Sequence, residues 1–121
     1  MSLKKNKIEF VLKGELHCID INEEGYSPTT TVLDFLRSKA GFKGVKEGCA
    51  EGDCGACTLV LGSLTKDATI KYRSFDSCLV FLPMLHGKEL ITVECIGTSD
   101  KLHHVQKAMV ECDGSQCGYC T

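Results

Sequence analysis

Three cysteines, Cys49, Cys54 and Cys57, stand as C-x4-C-x2-C in the stretch Cys49-Ala50-Glu51-Gly52-Asp53-Cys54-Gly55-Ala56-Cys57. A fourth, Cys78, opens the longest apolar run, Cys78 to Leu85. This is the thiolate spacing of a plant-type [2Fe-2S] centre. Two irons bridged by two sulfides need four thiolates arriving from different directions, and one loop can deliver three only if its backbone passes close to the inorganic core. Gly48, Gly52 and Gly55 permit that approach and positive φ values. The same bend can turn N–H groups toward sulfur, where they stabilise a negatively charged cluster. Four cysteines can also hold a structural zinc, commonly as two C-x2-C pairs, although within this first set only Cys54 and Cys57 form such a pair. Buried core cysteines in a Gly-rich loop are the plain alternative.

A second pair, Cys117-Gly118-Tyr119-Cys120, fits half a metal site, a redox dithiol or an unused pair. Cys18, Cys95 and Cys112 read as packing residues: Cys18 lies in a strand, Cys95 shares a phase with Ile91 and Val93, and Cys112 shares a helical face with Met109. His17, His86, His103 and His104 have no spacing that closes on the cysteine loops, and are expected at the surface or partly packed. Glu51 and Asp53 are expected to be solvated loop carboxylates. No catalytic residues are assigned, since no Ser-His-Asp or Cys-His arrangement stands out and no phosphate-binding Gly-rich turn precedes a helix.

The elements that must position these residues follow from periodicity. Ile8, Phe10 and Leu12 alternate in Lys7 to Leu12, and Leu16 to Ile21 follows after Lys13-Gly14, which predicts a hairpin. Thr30 or Thr31 can cap a helix over about residues 31–40 with Val32, Leu33, Leu36 and Ala40 on one face, stopped by Gly41. Residues 41–57 have no regular period and form a loop. Strands are expected at Thr58 to Leu61, at Ile70 to Ser74 and at Ile91 to Cys95. Strands, one helix, then strands again predict an α+β domain with a single helix over a small mixed sheet. Gly97-Thr98-Ser99-Asp100 marks a shift to a second unit, so the expected division is 1–97 and 98–121. There Leu102, Val105, Met109 and Cys112 fall at helical spacing, with Asp100 as cap and Gly114 as terminator. A lone helix of that length needs something to pack on.

The 121 residues are 43% apolar, enough for a core. With 14 Lys and Arg against 16 Asp and Glu, the chain carries no basic footprint for nucleic acid or membrane. Its longest apolar run is far shorter than the ~20 residues of a bilayer span. Nine bunched cysteines, an odd number, point to metal in a reducing compartment rather than to disulfides. The basic start Met1-Ser2-Leu3-Lys4-Lys5 leads into a mixed stretch rather than a signal-peptide core, so the cytoplasm is expected.

Taken with Ser115-Gln116-Cys117-Gly118-Tyr119-Cys120-Thr121, the cysteine pattern resembles the iron-sulfur part of the molybdenum hydroxylases. Phe81-Leu82-Pro83-Met84-Leu85-His86-Gly87-Lys88-Glu89-Leu90-Ile91-Thr92-Val93-Glu94 is most similar to the small subunit of the xanthine dehydrogenases, and the resemblance runs from Ile8 to Thr121. It implies a β-grasp ferredoxin-like domain holding one cluster through Cys49, Cys54, Cys57 and Cys78. It implies the beginning of a helical domain for a second [2Fe-2S] cluster, with Cys117 and Cys120 as its first two ligands. It also implies electrons passing from a molybdopterin centre through both clusters to FAD, with those cofactors on partner subunits or domains. The family continues past the position of Thr121 with Pro-Gly and a further C-x-C, so a fragment without its own substrate-oxidising site is expected. Two other functions fit the residues: a free-standing [2Fe-2S] ferredoxin, which the near-neutral charge and the appended C-x2-C argue against, and a zinc-stapled interaction module.

Overall fold

Lys13 and Gly14 both adopt left-handed conformations, with φ of 53° and 75°, the backbone a two-residue hairpin turn requires. They join β1 (Lys7–Leu12) to β2 (Glu15–Asp20) in antiparallel register from Lys7↔Asp20 to Leu12↔Glu15. The computed structural model describes residues 6–38 and 42–121. It continues with α1 (Val32–Ser38), β3 (Thr58–Leu64), β4 (Ile70–Asp76), β5 (Glu89–Ile91) and α2 (His104–Glu111), with short 3-10 turns at Leu82–Leu85 and Val93–Cys95.

The sheet order is β2-β1-β5-β3-β4. β5 lies parallel to β1, Leu12 beside Leu90, and antiparallel to β3, Leu61 beside Leu90. The sheet is therefore mixed, as expected for the α+β, β-grasp class. Ile8, Phe10 and Leu12 turn inward from β1 and meet Val32, Leu33, Phe35 and Leu36 of α1 in one buried cluster. Phe35 packs edge-on against Phe10 and Tyr26, with ring centroids 5.9 and 5.5 Å apart. Truncating such a residue to Ala costs ~3–5 kcal/mol.

Thr31 caps α1, its Oγ1 accepting from Asp34 N at 3.1 Å. Ala40 and Gly41, the expected end and stop of that helix, lie outside the described residues. Several details depart from the periodic reading. In β2 the inward phase is that of Ile19, with His17 stacked on Phe10. Cys18 therefore faces outward and is exposed, not a packing residue. The expected strand Ile91 to Cys95 ends at Ile91. Leu90 and Thr92 hold the buried positions, and Val93–Cys95 turns back on itself, with Thr92 N donating to Cys95 Sγ at 3.3 Å. Cys95 is half-buried in that turn rather than on a strand face.

α2 is capped by His103 rather than Asp100. Its Nδ1 accepts from Val105 N at 3.2 Å, and its N–H donates to Gln106 Oε1 at 3.0 Å, a reciprocal capping box. At the other end Asp113 takes the left-handed conformation, φ 49°, and Gly114 N reaches Met109 O at 2.9 Å. The terminator is thus the residue before the expected glycine. Cys112 is exposed there, which removes it from the packing residues as well.

Candidate metal centre

The loop that carries three cysteines is anchored before its first ligand. Arg37, at the end of α1, donates from Nη1 to Val45 O at 2.8 Å, and the Val45 side chain is buried in the core. Lys46 N then donates to Ala56 O at 3.3 Å, closing residues 46–56 into a ring.

Within the ring the backbone bends around Cys49. Its Sγ accepts N–H groups from Glu51 at 3.4 Å, Asp53 at 3.4 Å and Cys54 at 3.3 Å. These donors, that of Cys54 above all, lower the thiol from its ordinary value to about 7, because an N–H aimed at sulfur favours the thiolate. Cys54 Sγ accepts from Ala56 N at 3.4 Å. The bend needs left-handed backbone at Gly52 and Gly55, and Ala50 adopts it as well. At Gly48 the requirement is space, since a Cβ there would stand 2.8 Å from Cys54 Sγ.

Cys57 ends the loop as β3 begins, and Cys78 lies just past β4; both are buried. They are held by a contact that composition and spacing did not reveal. The buried Ser77 hydroxyl donates to Cys57 O at 2.8 Å, tying the two ligand segments together. The first N–H groups of α1 complete the hold, Leu33 N donating to Ser77 O at 3.1 Å and Val32 N to Val80 O at 2.8 Å. Backbone carbonyls on both sides of Cys78 thus satisfy the otherwise unpaired helix start. Burial pushes the Cys78 thiol up, the neighbouring Cys57 thiol adds to this, and the Gly52 N–H opposes it. Leu79 does not bury itself beside Cys78 as an apolar shield would. It is largely exposed and reaches over Gly52, where a Cβ would overlap its Cδ1.

The thiols act on one another: Cys54 on Cys49, and both Cys57 and Cys49 on Cys78. Among the described residues no three His, Cys, Asp or Glu converge tightly enough to hold one metal ion. A glycine cradle with N–H groups aimed at sulfur suits a negatively charged iron-sulfur core. The residues present fit a [2Fe-2S] cluster.

Cys117 and Cys120 follow α2 and are exposed, with Gly118 between them in left-handed conformation. Glu51 and Asp53 supply N–H groups to the site rather than carboxylates. Of the histidines, His103 caps α2, and His86 accepts from Glu9 N at 3.1 Å. No helix among the described residues is long and apolar enough to cross a membrane.

Residues 17–82 match the 2Fe-2S iron-sulfur cluster binding domain family, and residues 92–121 match the [2Fe-2S] binding domain family. Xanthine dehydrogenase of Blastobotrys adeninivorans is 43% identical over 117 residues, which are 96% of this chain and 8% of that protein. A probable aldehyde oxidase of Caenorhabditis elegans, gad-3, is 44% identical over 84% of this chain and 8% of its own length. The chain therefore spans under a tenth of these relatives. The crystal structure of quinoline 2-oxidoreductase from Pseudomonas putida 86 superposes with a TM-score of 0.71 at 27% identity, over 94% of this chain and 62% of that one. These matches bear out the resemblance to the iron-sulfur part of the molybdenum hydroxylases. Ring closure, glycine cradle and inward N–H groups occupy the matched residues, and the chain belongs to the family of 2Fe-2S iron-sulfur cluster binding domains.

Proposed function

We propose that this chain is the electron-relay region of a molybdenum hydroxylase of the xanthine dehydrogenase kind, carrying electrons from a molybdopterin centre toward FAD. Residues 1–97 hold the first [2Fe-2S] cluster through Cys49, Cys54, Cys57 and Cys78. Residues 98–121 begin the second [2Fe-2S] unit, to which Cys117 and Cys120 contribute. Molybdopterin and FAD belong to partner domains or subunits, the chain alone oxidises no substrate, and the assembly works in the cytoplasm.

When bound, the cluster supplies one-electron transfer. The protein's part is to hold it and set its electrostatics. The observation that carries the reading is the set of three N–H groups on Cys49 Sγ, donors that stabilise the extra negative charge of a reduced state. Cys57 and Cys78, buried beside α1, exclude water from the inner side, while the exposed Cys54 leaves the outer side open to a partner.

The test is anaerobic addition of xanthine to the chain assembled with its molybdenum- and flavin-bearing partners. Bleaching of the iron-sulfur absorption on the way to flavin reduction is expected. Flavin reduction with that absorption unchanged would remove the chain from the electron path.

A further inference from the structure

α2 has no buried side chain, and it packs broadly on no strand or other helix among the described residues. What joins it to the sheet is the Val93–Cys95 turn. Gln106 Nε2 donates to Val93 O at 2.9 Å, while Oε1 of the same amide accepts from His103 N at 3.0 Å. From the other side of the turn, Glu94 Oε1 accepts from Gly44 N at 2.6 Å, in the segment that leads into the cysteine loop.

Both contacts depend on missing side chains. A Cβ at Gly97 would overlap Gln106 Oε1, and one at Gly44 would overlap Val93 Cγ1 and crowd Glu94 Oε1. Glu94 Oε2 is buried with no hydrogen-bond partner. Such a carboxylate costs stability, and what it supplies in return is a fixed position.

We propose that Glu94 and Gln106 are positioning residues: across the Val93–Cys95 turn they brace α2 against the segment leading into the Cys49–Cys57 loop. The brace fixes where Cys117 and Cys120 stand relative to the first cluster. It rests on the two-cluster reading above, and it matters because electron transfer between centres falls steeply with their separation.

The two functions of Gln106 can be separated. Gln106→Glu keeps an oxygen for the His103 N–H, so the cap survives, but loses the donor to Val93 O. In the iron-loaded chain the amide order parameters of His104–Glu111 should fall from the rigid range, about 0.85, to below about 0.6, with helical Cα shifts retained. Gly97→Ala, whose Cβ would overlap Gln106 Oε1 and crowd His103 N, should loosen α2 as well, and weaken its cap in addition. Glu94→Ala should speed exchange of the Gly44 N–H, and Glu94→Gln, which keeps the acceptor, should restore it. In the protein carrying both clusters, Gln106→Glu should smear the magnetic splitting between the two reduced centres at unchanged iron content. An α2 as rigid in Gln106→Glu and Gly97→Ala as in the parent chain overturns the proposal, as does an unchanged splitting. A missing second-cluster signal would count against the two-cluster reading instead, and the order parameters would still decide the brace.

Discussion

The two cysteine-bearing regions are built in opposite ways. The Cys49–Cys57 loop with Cys78 is bound into the core: Arg37 holds its start, Ser77 ties its end to the fourth cysteine, and α1 caps the carbonyls beside Cys78. The segment from Gly97 to Thr121 keeps no side chain of α2 buried and leaves Cys117 and Cys120 in solvent. The contrast teaches that ligand spacing and ligand anchoring are separate properties. The loop is tied to the core at both ends and beside its fourth cysteine, whereas the C-x2-C pair has local turn geometry and little else.

The strongest way to break the comparison is to remove one cysteine from each region. Cys78→Ala should reduce iron in the purified chain to background and loosen the loop, because metal binding and folding of a ligand site are linked. Cys120→Ala should leave the iron and the visible spectrum of the first site unchanged. Equal losses from both would show that the two regions form one site.

A glycine substitution tests the cradle at smaller cost. Gly52→Ala places a Cβ on left-handed backbone, φ 76°, and into Leu79. The backbone part alone costs ~1–2 kcal/mol, so a lower denaturation midpoint is expected, together with faster iron loss to a chelator. Gly118→Ala has equally left-handed backbone but meets only Ser115 Oγ at 3.9 Å, and it should not affect iron retention.

Ser77→Ala sharpens the account of the inner pair. It deletes the hydroxyl bond to Cys57 O, while the Ser77 N–H to the same carbonyl, at 3.3 Å, remains. A stability loss of ~0.5–1.5 kcal/mol by denaturant titration is expected, with iron retained. The smallest effects belong to Cys18→Ala and Cys112→Ala, both exposed. They should change stability by within about 0.5 kcal/mol and leave iron untouched, and iron loss in either would overturn the ligand assignment.

Much of this was legible in the residues. Alternation in Lys7 to Leu12 and the Lys13-Gly14 pair gave the hairpin, and cysteine spacing with interleaved glycines gave the loop. Periodicity failed where a hydrophobic residue sat on the wrong phase. Val93 and Cys95 invited a strand face, but Leu90 and Thr92 hold the buried positions, because the tight turn at Val93–Cys95 outweighs hydropathy. The supports of the site were also hidden. Ser77 and Arg37 act through backbone carbonyls distant in sequence, and a lone Ser or Arg carries no spacing signal. The His103 and Gln106 capping box was hidden for a related reason, since histidine is not among the usual helix caps.

Iron, zinc and acid-labile sulfide, measured on the chain purified without oxygen and followed by electron paramagnetic resonance after reduction, test the central claim most directly. A pair of irons with a matching pair of sulfides, and a single-electron signal that disappears in Cys78→Ala, is the expected result. Stoichiometric zinc without sulfide, in a colourless protein that reduction leaves silent, would contradict the account.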